Sequence, residues 1–286
     1  MKLTNISVIR DLMDSHGFSF TKSLGQNFLI NPSVCPRMAE MSKIAGNSDT
    51  VIEIGAGIGV LTCELSKVYK KVIVIEIDEK LSPILAQTLS DCDNVSIIWG
   101  DALKVDLNAI IAESVSEGGT VSVVANLPYY AATHIIMSLL ERQDLPIDSL
   151  TVMVQKEVAQ RFTASPKTKQ YGIVSVAARF YSQPKMLFGV SRGSFMPAPN
   201  VDSAVIRLDR IPPRLSSRSQ TEQFFRLVRA AFSERRKQLV NPVSKEFAID
   251  KETVGSLLKS PTLRAEDLSV EEFVELYENL SSRNLL

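Results

Sequence analysis

The chain has 286 residues, of which 45% are hydrophobic and 22% are charged, and its 32 basic residues balance its 32 acidic ones. This composition indicates a soluble globular protein with one large and one smaller domain. No run approaches the roughly 18 apolar residues of a membrane span, so we expect a cytoplasmic protein without a membrane partner. Three widely spaced cysteines without clustered histidine support neither a disulfide framework nor a metal site, and we interpret them as small core residues: Cys35, Cys63 and Cys92.

Residues 1–31 form an extension that precedes the first periodic segment. Its distinctive part is G-Q-N-F-L at residues 25–29, which alone is typical of a loop with an apolar anchor. A helix is predicted over residues 32–44, because apolar residues recur there at helical spacing. These residues are Val34, Met38, Met41 and Ile44.

Glycines follow the first predicted strand, residues 50–54, in the sequence E-I-G-A-G-I-G. Gly55 and Gly57 allow the backbone to turn tightly and a ligand to approach before a helix begins near Val60. An ordinary turn from strand to helix is the alternative. A dinucleotide fingerprint requires glycine at the position of Val60, so a nicotinamide cofactor is not favoured. The chain also lacks the Walker-type G-K-[ST] sequence, which argues against a nucleoside triphosphatase.

Acidic residues end the next two predicted strands, residues 71–77 and 94–99. Glu76 follows Gly55 by 21 residues. In nucleotide-binding α/β folds, an acidic residue at about this separation in sequence accepts hydrogen bonds from the ribose hydroxyls. Asp101 comes just after the third strand. Because open α/β sheets bind ligands at the carboxyl ends of their strands, the three strand ends together predict one ligand site.

The fourth predicted strand begins the sequence V-S-V-V-A-N-L-P-Y-Y at residues 121–130. Its β-branched run indicates a buried strand, which ends abruptly at Asn126. The Asn126 amide offers a donor and an acceptor, Pro128 stiffens the turn, and Tyr129 presents a flat ring. We interpret this turn as a holder for a planar ring that carries an amine.

The remainder of the chain divides into a mixed segment and a helical segment. A strand at residues 150–155 precedes two helices, two strands and then only helices, beginning near Thr221. We therefore predict a domain over residues 1–211 and a helical domain over residues 212–286. The two intervening helices are predicted at residues 156–162 and 171–181, and the two strands at residues 184–190 and 203–208.

Positive charge is concentrated between residues 206 and 240, where nine basic residues oppose three acidic ones. This segment has a net charge of +6, so the rest of the neutral chain has a net charge of −6. A solvated face is one explanation, and binding of a polyanion is the other.

The motifs together resemble the ribosomal RNA adenine dimethyltransferase family, and most closely its housekeeping bacterial members that act on 16S rRNA. The resemblance covers nearly the whole chain in family order. Besides the sequences quoted above, it includes E-I-D at 76–78, D-A at 101–102, Q-K-E-V at 155–158, F-x-P-x-P-x-V-D-S-A-V at 195–205 and A-F-x-x-R-R-K at 231–237.

The resemblance implies a Rossmann-like class I methyltransferase sheet, S-adenosylmethionine as methyl donor, and two adjacent adenines near the 3′ end of 16S rRNA as acceptors. The partner is then the 30S subunit, and the enzyme is a monomer. Asn27 and Leu29 would border the cofactor, and Gly55 and Gly57 would lie against it. The ribose, the adenine amine and the target would be contacted by Glu76, Asp101 and Asn126, respectively.

The same resemblance implies roles in catalysis and RNA binding. Asn126 and the carbonyl of Leu127 would accept hydrogens of the target amine, and Pro128 shapes the turn that carries them. Tyr129 and Phe195 would stack on a flipped adenine, although Phe195 also fits a core anchor. Phosphates of the RNA would be bound by Arg235, Arg236 and Lys237.

Two departures and two rival functions accompany this interpretation. Ala56 stands where many members have proline, and Tyr130 stands where others have asparagine. For Tyr130 and His134 we predict packing or capping.

The rivals are the related resistance methyltransferase, which acts on 23S rRNA, and a non-catalytic ribosome assembly factor. V-D-S-A-V at 201–205 and Y-G-x-x-S-V at 171–176 match the 16S rRNA group better.

Overall fold

The computed structural model describes residues 1–18, 27–43, 49–115 and 120–286. Gly25 and Gln26 of the G-Q-N-F-L motif, and Ile44 at the end of the predicted second helix, lie outside the described residues. The chain forms two compact units. Unit 1 comprises Met1–Ala159 and Gln183–Arg210, and unit 2 comprises Gln160–Ser182 and Ile211–Leu286.

Unit 1 is built on a seven-stranded sheet. The strands are β2 (Thr50–Ile54), β3 (Lys71–Glu76), β4 (Val95–Trp99), β5 (Val121–Asn126), β6 (Ile147–Gln155), β7 (Ser182–Val190) and β9 (Ser203–Arg210). They lie in the order β4-β3-β2-β5-β6-β9-β7. The first five strands in this order are parallel to one another, and β9 runs antiparallel to β6. This arrangement confirms the predicted α/β class.

The strand order creates a switch point between β2 and β5. From β2 the chain proceeds outward to β3 and β4, and then returns to place β5 on the other side of β2. Ligands of open α/β sheets bind outside the carboxyl ends of the strands at such a point. Every residue of β2, and all but the last residue of β5, is buried. This burial is typical of central parallel strands and explains their continuous apolar runs.

Helices connect these strands. They are α2 (Val34–Ser42), α3 (Val60–Val68), α4 (Ser82–Thr88), α5 (Leu107–Ala112), α6 (Ala132–Glu141) and α7 (Lys156–Thr163), which passes from unit 1 into unit 2.

The amino-terminal extension contains a helix that is not among the predicted elements, α1 (Ile6–Ser15). The Asn5 side chain caps its first turn by accepting a hydrogen bond from the Ser7 N–H at 3.0 Å. Its buried face carries apolar residues at helical spacing: Ile9, Leu12 and Met13.

A second, two-stranded sheet joins the extension to the loop before β9. Its strands β1 (Phe28–Leu29) and β8 (Phe195–Met196) are antiparallel, and Leu29 lies opposite Phe195.

The predicted core position is correct for Cys35, which is buried, whereas Cys63 and Cys92 are only partly buried.

Unit 2 contains only helices apart from its connections. They are the end of α7, α8 (Ile173–Tyr181), α9 (Arg218–Ser233), α10 (Val240–Phe247), α11 (Lys251–Ser256) and α12 (Val270–Ser282). Helix α9 begins three residues before the predicted start because Ser217 and Gln220 form a reciprocal capping box.

The predicted domain division is wrong for residues 160–182, which the prediction places with the sheet. The Phe180 ring stacks on Phe224 with 4.6 Å between centroids, and Tyr181 stacks on Phe225 at 5.6 Å. These contacts bury the aromatic face of α8 against α9 within unit 2. The predicted boundary between residues 211 and 212 lies one residue after the start of the longer segment of unit 2, Ile211–Leu286. No helix in the described part of the chain has the length and hydropathy of a membrane span.

Candidate active site

A cavity in unit 1 opens at the carboxyl ends of β2, β3, β4 and β5. The residues that we predicted to be catalytic or to bind the cofactor all line it, although they come from six segments of the chain. These residues are Asn27, Leu29, Gly55, Gly57, Glu76, Asp101, Asn126, Leu127, Pro128, Tyr129 and Phe195.

The glycine-rich turn after β2 forms one wall of the cavity. Gly55 and Gly57 have φ angles of +79° and +56°, which side-chain-bearing residues rarely adopt. A Cβ atom at Gly57 would also lie 3.3 Å from Cε1 of Phe28. The turn therefore requires glycine at position 57 for both its backbone angle and its close contact with the extension.

Backbone donors hold the Glu76 carboxylate in place at the end of β3. The N–H groups of Gly57 and Asp78 donate to its two oxygens at 3.1 and 3.0 Å. Burial raises the pKa of Glu76, and these hydrogen bonds oppose part of that rise because they favour the charged form. The side chain is therefore fixed while each oxygen retains a lone pair for a ligand.

Asp101 occupies the equivalent place after β4. Its Oδ1 accepts a hydrogen bond from the Leu103 N–H at 3.0 Å, and Lys104 Nζ lies 3.6 Å from Oδ2. The carboxylate thus lies in a local turn beside the cavity, two residues after Trp99, which is paired with Glu76 in the sheet.

Hydrogen bonds of the backbone fix the N-L-P-Y turn after β5. The Leu127 N–H donates to the Met153 carbonyl at 3.2 Å, and the Pro128 carbonyl accepts from the N–H groups of Ala131 and Ala132 at 3.1 and 3.0 Å. Among the described residues, nothing donates to the Leu127 carbonyl and nothing bonds to the Asn126 side-chain amide. Two oxygen acceptors are therefore available at the cavity.

Two predicted aromatic residues line the cavity in different environments. The Tyr129 hydroxyl is 2.6 Å from the Ser203 hydroxyl, and burial raises the pKa of Tyr129. Phe195 is only 3% exposed and belongs to the hydrophobic core of unit 1. Tyr129 is thus tethered at its outer end, while Phe195 both anchors the core and borders the cavity.

The prediction that Tyr130 and His134 pack or cap is wrong, because both are exposed and no described side chain caps α6. Tyr130 is 69% exposed at the cavity, and His134 is exposed on the first turn of α6. After the Pro128 turn, neighbouring tyrosines point to different environments. A polar contact holds Tyr129, whereas most of the Tyr130 ring faces solvent.

Glu53 also lines the cavity, although it is not among the predicted site residues. Its side chain is completely buried in β2, and neither carboxyl oxygen has a hydrogen-bond partner among the described residues. Burial raises its pKa to about 8, the nearby Thr62 hydroxyl opposes part of the rise, and the negative charge of Glu76 adds to it. In the sequence, the signal that could identify Glu53 is the presence of one charged residue in the mostly apolar predicted strand at residues 50–54.

The predicted RNA-binding cations lie in unit 2, in the turn between α9 and α10. The Arg235 guanidinium pairs with Glu266 at 3.2 Å and donates to two backbone carbonyls. The exposed side chains of Arg236 and Lys237 form no hydrogen bond or ion pair with described residues. Arg235 is therefore held by intramolecular contacts, whereas Arg236 and Lys237 offer free charges.

Known proteins resemble this chain along nearly its whole length. A family model described as ribosomal RNA adenine dimethylase matches residues 17–282. Proteins named ribosomal RNA small subunit methyltransferase A, from Bacillus mycoides (strain KBAB4) and Bacillus cereus (strain AH187), are each 45% identical over 274 residues. Each alignment covers 93% of this chain and 93% of the relative.

Solved structures share the fold. A dimethyladenosine transferase from Plasmodium falciparum superposes with a TM-score of 0.74 and 24% identity, covering 90% of this chain and 98% of that one. The 23S rRNA methyltransferase ErmE superposes with a TM-score of 0.70 and 23% identity, covering 89% of this chain and 100% of that one. The predicted class I methyltransferase fold is therefore confirmed. Because the family match and the 45% identity both extend over nearly the whole chain, the chain belongs to the ribosomal RNA adenine dimethylase family.

Proposed function

We propose that this protein uses S-adenosylmethionine to dimethylate the exocyclic amines of two adjacent adenosines near the 3′ end of 16S rRNA. It would act as a monomer on the 30S particle in the cytoplasm, as a step of small-subunit biogenesis. The observation that carries the proposal is the cavity that joins three strand-end groups to the N-L-P-Y turn. The 45% identity to proteins named for the small subunit favours 16S over 23S rRNA.

The residues of the cavity fit a nucleoside that carries a cationic group. Glu76, oriented by two backbone donors, would receive the ribose hydroxyls, and Asp101 would accept from the adenine amine. Ile77, which follows Glu76, is 54% exposed at the cavity and would offer an apolar surface for the purine ring. Gly55 would approach the methionine part, and Asn27 and Leu29 would close the border. When bound, S-adenosylmethionine supplies an electrophilic methyl group on a sulfonium.

Asn126 and Leu127 would prepare the attacking amine. The lone pair of an adenine amine is delocalised into the ring, so the planar amine is a poor nucleophile. The Asn126 side-chain oxygen and the Leu127 carbonyl have no donor among the described residues. They would accept hydrogen bonds from the two N–H groups of the amine and so favour the pyramidal amine, whose lone pair attacks the methyl group. Such contacts strengthen in the transition state, and much of the rate gain comes from positioning. No strong base is required.

Aromatic rings would offset the cost of extracting the target base from its stack. Tyr129, tethered by Ser203, provides a fixed face in the cavity, with Phe195 as its buried border. Tyr130 provides a second, solvent-facing ring at the entrance. Because the two target adenosines are adjacent, we assign Tyr130 to the base beside the one in the cavity.

The test is methylation of undermethylated 30S subunits with radiolabelled S-adenosylmethionine, followed by mapping of the modified nucleotides by mass spectrometry. We expect dimethylation of two adjacent adenosines near the 3′ end of 16S rRNA and none on isolated 23S rRNA. Transfer only to 23S rRNA would instead identify the resistance-type activity. Absence of S-adenosylmethionine binding by calorimetry would favour the non-catalytic assembly factor.

A further inference from the structure

A loop of unit 2, residues 164–172 between α7 and α8, carries two lysines and no acidic residue. Lys167 has a φ angle of +68°, a left-handed conformation that is uncommon for a residue with a side chain. Its N–H donates to the Glu266 carbonyl at 2.8 Å. Thr168 bonds to the Ser165 carbonyl through its hydroxyl at 2.7 Å. These hydrogen bonds therefore hold the backbone of the loop in a defined conformation.

Arg235 connects this loop to the turn after α9. Its guanidinium donates to the carbonyl of Lys169 at 2.6 Å and to that of Tyr171 at 3.2 Å. The same group pairs with Glu266, whose own carbonyl receives the Lys167 N–H. Arg235 thereby brings together two segments that are 66 residues apart in sequence, and the Glu266 carboxylate is neutralised in the process.

Free positive charges lie on both segments. Lys167 and Lys169 are exposed, and their ammonium groups have no partner among the described residues. Arg236 and Lys237, which follow the connecting arginine directly, are exposed and unpaired in the same part of the structure. Four unpaired cations thus lie on the two segments that Arg235 connects, and the charge of Arg235 itself is compensated by Glu266.

We infer that residues 165–170 form one phosphate-binding surface with Arg236 and Lys237, and that Arg235 is a positioning residue that holds the two parts together. The inference rests on the proposed function, since its partner is the phosphate backbone of the 16S rRNA. Lysines act on phosphates as point charges, and such contacts do not require a particular base sequence. Recognition of folded RNA through its backbone suits a rigid, cationic surface.

The experiment measures binding of undermethylated 30S subunits by the full chain over a range of salt concentrations. For the double variant Lys167→Gln/Lys169→Gln, we expect affinity to fall by about tenfold to a hundredfold near 0.1 M salt. The slope of log affinity against log salt should lose about 1 to 2 in magnitude. The single variant Arg236→Gln should lose about 1. S-adenosylmethionine affinity, measured by calorimetry, should stay unchanged.

Arg218→Gln is the control for the loss of a compensated surface cation, because Arg218 is 92% exposed at the other end of α9 and pairs with Glu222 at 2.9 Å. The 16 residues of α9 place it about 24 Å from the Arg235 turn. Arg235→Lys tests positioning: it keeps the charge but not the forked donor, so RNA affinity should still fall. Its unfolding temperature is measured to separate this effect from unfolding.

Wild-type affinity and slope in the double lysine variant would overturn the inference, as would an equal loss with Arg218→Gln. An affinity loss without a change in slope would also overturn it, because the lysines would then not neutralise phosphates. If the wild-type protein itself does not bind 30S subunits, the proposed function fails instead. Binding that depends on ribosomal proteins rather than on rRNA, tested with protein-free 16S rRNA, would assign the surface to a protein partner.

Discussion

Replacement of Glu53 by glutamine tests how the cavity is built. The carboxyl is fully buried without a described hydrogen-bond partner, and its pKa is about 8 in the folded protein against 4.5 ordinarily. Between these pH values the folded protein holds one more proton than the unfolded chain. Stability from this group is therefore fully present below pH 4.5 and is lost as the pH rises through 8.

The size of the effect follows from the two pKa values. Each pH unit between them lowers the free energy of unfolding by about 1.4 kcal/mol, which amounts to about 5 kcal/mol by pH 8. Glutamine has nearly the same shape and does not ionise. The variant Glu53→Gln should therefore gain stability relative to the wild type as the pH rises, and the difference should become constant above pH 8.

Urea unfolding between about pH 5.5 and pH 8.5 provides the assay. Trp99, the single tryptophan of the chain, lies in β4 and reports the unfolding of unit 1 by fluorescence. Glu79→Gln, which removes an exposed carboxylate from the same unit, is the matched control. Stability curves for wild type and Glu53→Gln that run parallel over the whole pH range would refute the reasoning.

Three further substitutions test the cavity. Asn126→Ala should lower kcat for rRNA methylation by about 10²- to 10³-fold, because it removes an acceptor that acts on the attacking amine; near-wild-type turnover would contradict this role. Tyr130→Ala should raise KM for 30S subunits by about tenfold, whereas Tyr130→Phe, which retains the stacking face, should resemble the wild type. Gly57→Ala should cost about 1 to 3 kcal/mol in urea unfolding, since its φ is +56° and Phe28 is close, and should weaken S-adenosylmethionine binding in calorimetry.

The strand ends that form the cavity could be predicted because their signals are local. An apolar run followed by glycine or a carboxylate indicates where a strand ends, and parallel strands place all of these ends at one edge of the sheet. Gly55, Glu76, Asp101 and Asn126 meet for this reason. The strand order that makes β2 and β5 neighbours is not contained in any local pattern, and it followed only from the resemblance.

The division between the units could not be predicted in the same way. Helix periodicity over residues 171–181 indicates that one face is buried, but it does not indicate what covers that face. The answer lies in Phe224 and Phe225, more than 40 residues later in the chain, which pack against Phe180 and Tyr181. A boundary placed at the last strand therefore assigned the aromatic helix to the wrong unit.

Two pairs of adjacent, chemically equivalent residues show where motif reading stops. Tyr129 and Tyr130 share a side chain, yet one is tethered to Ser203 and the other is 69% exposed. Arg235 and Arg236 share a charge, yet only Arg235 is engaged by carbonyls and a carboxylate. In each pair the motif identifies the chemistry, while contacts with residues distant in sequence decide which member is held in place. Substitutions within such pairs should therefore have unequal effects, because only one member of each pair also loses an intramolecular contact.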